Sequence, residues 1–539
     1  RVIAAAAFAV ARVPDPAFAV TPLLRHLVSD EPPVVLAVSY TLARLASSGL
    51  RGSASPQARI SQTDRTRIRR ELARLAASPD PDIRMQVARA LTGSLLPEDA
   101  LILGQLFKDP DPRVRASAIV AMAFPGAEID VFELAILDPS LHVKAATVEG
   151  LGRLRSREAI KMLLDLLTVE APPEVHVRVL RTLRTVDPVF AAGPSSSLAH
   201  TEDPRVRAAA VRNLEFSPDP ELTHLAEHLL EDVNAAVRAA AVPLLVGAPE
   251  PLVELLGENL DSDDPGILTA IAETAGERLA LHPDEARIRA DALAVLQRVR
   301  DGSKGEGFSE TRLATIEAAV RAGADPAVRA ILLAGLDDED RRVRASAARA
   351  VAELYDEDHG DRVGPLSERT LDDYREIVEW ARKPRAALII VQREGFDPGR
   401  FTISLDTTHA PLSSWNFARL ASSGFYDGSI VHRLVPNFVV QTGAPAPRDT
   451  GGPGYEIRSE RNTARFGTGT LGMAQSEDET HGSQWFVTLS PQPHLDDRFT
   501  AFGSVVQNFL GTVLLLEPED WIVTIQVYEG TGEEPLPAW

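Results

Sequence analysis

Motifs for covalent or metal chemistry are scarce in this 539-residue chain. It has no cysteine, which removes thiolate nucleophiles, disulfides, lipidated Cys and Cys-ligated metals together. No His-Glu-x-x-His, no Gly-x-Ser-x-Gly and no paired-carboxylate arrangement stands out among the 77 acidic residues. Gly467-Thr468-Gly469-Thr470-Leu471-Gly472 has Gly-x-Gly-x-x-Gly spacing, but it precedes Met473-Ala474 and the polar run Glu477-Asp478-Glu479. A dinucleotide site needs that motif to open a helix, so it reads as turn and strand. The Gly-Ser run after Asp301 lacks Gly-x-x-x-x-Gly-Lys-Ser/Thr and reads as a solvated loop. The densest mixture of aromatic, polar and charged residues is Phe425-Tyr426-Asp427-Gly428-Ser429-Ile430-Val431-His432-Arg433-Leu434-Val435-Pro436-Asn437-Phe438-Val439-Val440-Gln441-Thr442-Gly443. A formal charge of -21 argues against a broad nucleic-acid or anionic-membrane surface.

The elements that must position such residues divide the chain. Its length exceeds a single core, so several units or a repeat array are expected. Residues 385–530 hold 16 of the 29 aromatics, and the last of the five lysines is Lys383. Two differently built regions are implied.

The first is repetitive. Asp80-Pro81-Asp82-Ile83-Arg84 is echoed at Asp111–Ala116, Leu141–Ala145, Glu174–Arg178, Asp203–Ala208 and Ala235–Ala239, then at Asp264–Leu268 and Asp340–Ala345, with a degenerate early copy at Glu31–Val35. Asp caps a helix and Pro loses no hydrogen bond in its first turn. A period near 30 residues is one antiparallel helix pair, which buries its face only by stacking on the next. Asp109/Arg115, Asp138/Lys144, Asp232/Arg238 and Asp338/Arg344 share a six-residue spacing, so a charge ladder between adjacent units is expected. The pattern resembles HEAT repeats over residues 1–358, which implies an all-α solenoid serving as a protein-binding scaffold. The Ala-rich opening Arg1–Ala7 has no basic n-region, and Pro14-Asp15 interrupts the apolar run, so it reads as a repeat helix rather than a signal peptide. Ser47–Asp64 and Asp301–Thr311 read as exposed loops. Residues 359–384 form a linker, with a helix over Thr370–Arg382 that carries Leu371, Tyr374, Ile377, Val378 and Ala381 at helical spacing and a Thr370/Asp373 capping pair.

From Ala386 the pattern turns to strands, Ala387–Val391 and Phe401–Leu405, then a helix over Pro411–Ser423 with Leu412, Trp415, Phe417 and Leu420 inward, then further short strands to Ile522–Val527. Many short strands and few helices predict a barrel over 385–530, followed by a tail at 531–539. The run 425–443, with Leu471-Gly472-Met473-Ala474, Gly482-Ser483-Gln484-Trp485-Phe486 and Leu495–Gly503 following in order, resembles the cyclophilins, peptidyl-prolyl cis-trans isomerases. That resemblance implies a closed antiparallel β-barrel with capping helices, X-Pro bonds of protein clients as substrate, and no cofactor or metal.

It also implies roles. Arg433 donates hydrogen bonds to the twisting amide, and Gln441 orients Arg433 and the substrate backbone. Phe438, Val439, Phe486 and Leu495 build the proline pocket. Ala474, Gln475 and Gln484 line the adjoining groove, His494 and Phe499 complete the substrate-binding set, and His432 is structural. Val439 stands for the usual Met, Gln475 for Asn, His494 for a frequent Trp and Phe499 for His or Tyr. Gln441-Thr442-Gly443 stands for Gln-Gly-Gly, and the loop Ala444–Asp449 is short. The rival reading is a non-catalytic adaptor that uses both regions for binding. No run reaches the ~18–20 apolar residues of a membrane span, and the compartment, cytoplasmic or cell-envelope, is left open.

Overall fold

The computed structural model describes residues 2–10, 16–47, 60–93, 96–124, 127–169, 171–217, 222–305, 308–364, 371–393, 398–435, 437–445, 451–453, 455–475, 480–516 and 520–532. Several expectations therefore lie outside the described residues: most of the 47–64 loop, Pro14-Asp15, Thr370 of the capping pair, the 446–449 part of the short loop, Glu477–Glu479 and most of the 531–539 tail.

The Asp-Pro signal acts as read. Asp80, Asp111, Asp203 and Asp264 each accept a backbone N–H two residues on, at 2.7–2.9 Å, and open the helices Pro81–Ala90, Pro112–Met122, Pro204–Leu214 and Pro265–Leu281. Each such cap stabilises its helix by about 1 kcal/mol. These second helices stack on one another as one continuous row, from Pro32–Ser47 through Leu141–Leu154 and Pro173–Val186 to Ser309–Val320 and Arg341–Tyr355. Small residues set the spacing. A Cβ on Gly276 would stand 2.8 Å from the Cα of Ala318, and one on Gly150 would stand 2.7 Å from the Phe132 ring. The helices approach too closely there for even one added carbon.

The charge ladder is built between units as expected, with a register that the six-residue spacing did not reveal. Each aspartate receives the arginine of the preceding unit: Arg84–Asp109 at 2.7 Å, Arg115–Asp138 at 2.8 Å, Arg207–Asp232 at 2.9 Å and Arg312–Asp338 at 2.6 Å, all nearly buried. The pairs six residues apart meet through backbone instead, as in Arg115 donating to the Asp109 carbonyl at 2.8 Å. Lys144 reaches the Ile136 carbonyl. A second ladder runs beside the first. Arg113, Arg205 and Arg342 each bind their own capping aspartate and also the acidic residue one unit earlier, Asp82, Glu174 and Glu310, at 2.8–3.0 Å.

Two local expectations change. Within 301–311 the helix Ser309–Val320 already begins, and Ser303, Ser309 and Thr311 are buried under their neighbours. Ser61 accepts the Asp64 N–H and starts the helix Gln62–Ala73, which removes Gln62–Asp64 from the earlier loop. The connecting helix spans Leu371–Ala381. It buries Ile377 and leaves Tyr374 and Val378 exposed, because it lies against the barrel along a narrow stripe.

The strands are β1 (Arg385–Gln392), β2 (Gly399–Leu405), β3 (Arg433–Val435), β4 (Val439–Thr442), β5 (Ile457–Arg458), β6 (Thr470–Met473), β7 (Thr480–His481), β8 (Trp485–Thr488), β9 (Ala501–Val505) and β10 (Trp521–Glu529). Eight of them form one curled antiparallel sheet in the order β10-β1-β2-β9-β6-β8-β4-β3, and β5 pairs with β7 apart from it. The expected closed barrel takes this form: among the described residues no regular strand pair joins β10 to β3. The irregular segment before β3 makes the seam, with Gly428 N–H to the Ile522 carbonyl at 2.7 Å, Ile522 N–H to Ser429 at 2.8 Å and Val431 N–H to Asp520 at 2.7 Å. The helix Pro411–Ser422 has no side-chain cap on Ala410. Glu460 substitutes, accepting from Leu412 N–H and Ser413 N–H at 2.9 and 2.7 Å.

Candidate active site

Antiparallel pairing places Arg433 directly opposite Gln441, and Val435 opposite Val439. Side chains two residues apart share a face, so Arg433, Val439 and Gln441 project together while Val440 joins the main barrel core. Gln441 lies opposite Phe486 on β8, and Phe486 lies opposite Gly472 on β6. The register of three strands thus sets a polar row beside an aromatic one.

The polar row is a hydrogen-bonded relay. Arg433 donates to Gln441 Oε1 at 3.2 Å, Gln441 Nε2 donates to Gln484 Oε1 at 3.0 Å, and Gln484 Nε2 donates to the Gly451 carbonyl at 2.9 Å. Arg433 is exposed and its guanidinium lies 5.8 Å over the Phe438 ring. It therefore keeps free donors above the pocket. The aromatic row is a separate small cluster of Val439, Phe486 and Leu495 with the half-buried Phe438 and Phe499 at its mouth. Phe486 meets Phe499 edge-on at 6.0 Å and stacks on Phe466 at 5.8 Å. All five residues expected in the pocket or at its edge converge here. Phe466, Ala464 and Ala501 also belong to it and were missed, because nothing in their spacing separates them from ordinary core.

Gly472 leaves room for the Phe486 and Phe466 rings. A Cβ there would stand 2.3 Å from Phe486 Cζ and 2.6 Å from Phe466 Cε1. Gly472→Ala is expected to push Phe486 into the pocket and weaken proline-peptide binding about tenfold, since overpacking of this kind costs roughly 1–3 kcal/mol. Peptide affinity compared with the shift in melting temperature checks it. An unchanged affinity would show that Phe486 does not wall the pocket.

The solenoid reaches this site, which the sequence did not suggest. Asn437, between β3 and β4, has φ 58° and is 6% exposed. Its amide nitrogen donates to Ser117 Oγ at 2.7 Å and to the Arg113 carbonyl at 3.2 Å, so its oxygen accepts from His142 Nε2 at 3.0 Å. Its carbonyl accepts from Arg89 at 2.9 Å, Ser490 at 2.5 Å and Gln492 at 2.8 Å. Thr468, of the glycine motif, donates to Asp82 at 2.9 Å. His494 stacks on Phe438 at 5.5 Å and has Tyr40 of the solenoid 3.5 Å away, so the position that often holds Trp is shaped here by a neighbour from the other module. Burial lowers the pKa of Arg89 and of His142. At the far end of the groove Gln475, Gln484 and Ala474 face Glu310 and Arg342 of the solenoid across a cavity of about 230 Å³.

A family model described as cyclophilin type peptidyl-prolyl cis-trans isomerase/CLD matches residues 389–514, and one described as HEAT repeats matches residues 100–184. Peptidyl-prolyl cis-trans isomerase-like 1 of Aspergillus niger is 45% identical over 112 residues, which are 20% of this chain and 69% of that protein. Peptidyl-prolyl cis-trans isomerase B of Bacillus subtilis is 43% identical over 111 residues, 20% of this chain and 78% of the relative. A peptidyl-prolyl cis-trans isomerase of Synechococcus elongatus is 39% identical over 132 residues, 24% of this chain and 91% of the relative. With the family model matching the strand domain and relatives matched over most of their length, the chain belongs to the cyclophilin-type peptidyl-prolyl cis-trans isomerases, and its isomerase domain follows a run of HEAT repeats.

Proposed function

We propose that Arg433 and Gln441 carry the isomerisation, with Phe438, Val439, Phe486, Leu495 and Phe499 gripping the proline ring. Ala474, Gln475, Gln484 and His494 line the path of the client chain. Rotation about an X-Pro bond must cross about 18–20 kcal/mol because amide resonance is lost at the twisted state. In that state the nitrogen lone pair localises and becomes an acceptor, whereas in either planar isomer it is delocalised. A donor aimed there stabilises the twisted state alone, and each ~1.36 kcal/mol of such preference gives a factor of ten in rate. The placement of Arg433 opposite Gln441, over the ring of Phe438, is the observation that carries this reading. No nucleophile or proton transfer enters it.

We divide the chain accordingly into a repeat scaffold (1–358), a linker (359–384), an isomerase domain (385–530) and a tail (531–539). The scaffold holds a protein client so that its prolyl segments meet the barrel at high local concentration, a role in client folding. The test is exchange spectroscopy on an Ala-Pro peptide with micromolar full-length protein. Wild type should accelerate exchange well above the uncatalysed tens of seconds. Gln441→Ala, which leaves Arg433 without its orienting partner, should slow it about tenfold, the scale of one hydrogen bond. No acceleration by wild type would end the catalytic reading.

A further inference from the structure

The cavity between the modules is continuous with the reaction centre, since Gln441 and Gln484 form part of its wall. At about 230 Å³ it far exceeds the ~10–15 Å³ that one water needs on the same measure, so it has room for a long side chain. Gly451 and Gly452 form one edge without side chains, and Gly451, at φ 94°, lies against the Cγ of Glu310.

Its charge is unbalanced. Arg342 is already held by Glu310 at 2.8 Å and Asp340 at 3.0 Å, two carboxylates for one guanidinium. Glu456 of the barrel adds a third carboxylate, in a loose ion pair 3.9 Å from Arg342 Nε, a donor with no hydrogen-bond partner among the described residues. The Glu456 side chain is 6% exposed and its Oε2 has no hydrogen-bond partner. A buried carboxylate without a full set of donors is costly, and its terminal torsion is soft enough to swing an oxygen into the cavity. Arg433 does not line this space.

We propose that this cavity is a client-recognition subsite, formed jointly by the solenoid and the barrel, that selects a cationic Lys or Arg side chain near the isomerised proline. It rests on the catalytic reading above and deepens it. The incoming cation donates to Glu456 and neutralises the surplus that Glu310 and Asp340 leave around Arg342. Among the described residues the barrel supplies one carboxylate of the three, so the solenoid is a specificity element of the enzyme.

A panel of peptides with one fixed Ala-Pro bond, carrying Lys, Gln or Glu at each neighbouring position in turn, tests it with the full-length chain. At one position Lys should exceed Glu in kcat/KM by about tenfold, the scale of one charge-assisted hydrogen bond. Glu456→Gln and Glu310→Gln should each reduce that ratio severalfold, and Glu310→Lys should invert it. A wild type indifferent to charge at every position overturns the proposal, as does a Lys/Glu ratio that survives all three substitutions. If no peptide turns over, the catalytic reading fails instead. The subsite is then judged by affinity alone: tighter binding of the Lys peptide than the Glu peptide upholds it, and equal binding overturns it.

Discussion

Arg433→Ala is expected to lower kcat/KM for X-Pro isomerisation by about 10²–10³-fold, the effect of removing one donor aimed at a transition state. The side chain is exposed, and its one described hydrogen bond within the chain is to Gln441 at 3.2 Å. Gln441 keeps its bond to Gln484, so the fold and its melting temperature should be unchanged. Peptide affinity should fall far less than the rate, because in the proposed mechanism the apolar Phe438–Phe499 cluster, not the guanidinium, grips the proline ring. Arg433→Lys separates charge from geometry. It retains a cation but loses the planar fork, and it should recover only part of the rate. Coupled-protease or exchange measurements on one peptide decide it. Activity within threefold of wild type in Arg433→Ala would remove Arg433 from the mechanism.

What the sequence made legible follows from what is local. Asp-Pro caps, the 30-residue period and strand alternation are short-range signals, and they gave the helix pairs and the sheet, whereas the residues expected in the pocket came only from the resemblance of the 425–503 motifs to the cyclophilins. The ladder register was not legible, because a six-residue spacing is shared by the backbone contact Arg115–Asp109 and conceals the side-chain contact Arg84–Asp109 across units. The irregular seam at 428–431 escaped notice because no alternation marks it. The docking of the two modules left the faintest trace. At the position two residues after the cap, which holds Arg113, Arg205 and Arg342 in some units and Asp82, Glu174, Ala236 and Gly266 in others, the Leu141 unit carries His142, the residue that receives Asn437. His494 in place of an aromatic is the second trace, explained only once Tyr40 is seen beside it. Contacts 295 to 454 residues apart in sequence have no period to betray them.

The second large effect concerns that docking. Asn437→Gly preserves the left-handed backbone, which glycine adopts freely, and deletes only the amide. Three hydrogen bonds to the solenoid go with it. At a net ~1 kcal/mol each, the docked state should lose about 3 kcal/mol, or roughly 100-fold in its equilibrium constant. The absence of cysteine supplies the reporter: in a Ser117→Cys background the single thiol replaces one of the three partners, so two bonds remain, and the thiol, buried when docked, should be labelled about 30-fold faster in Asn437→Gly, normalised to the denatured chain. Docking should also depend on pH through His142. Its pKa is lowered in the docked state chiefly by burial, with Arg178 and Arg113 acting in the same direction and Asn437 and Asp111 opposing. Above about pH 6.5 the imidazole is neutral in both states and docking is indifferent to pH. Below it the undocked state takes up a proton that the docked state refuses, so docking weakens by up to ~1.4 kcal/mol per pH unit until the docked pKa is reached. His142→Gln keeps a neutral donor toward Asn437 and should abolish that slope between pH 6.5 and 5. A labelling rate unmoved by Asn437→Gly would mean that Asn437 does not hold the two modules together. A slope that persists in His142→Gln would place the titrating group elsewhere in the interface.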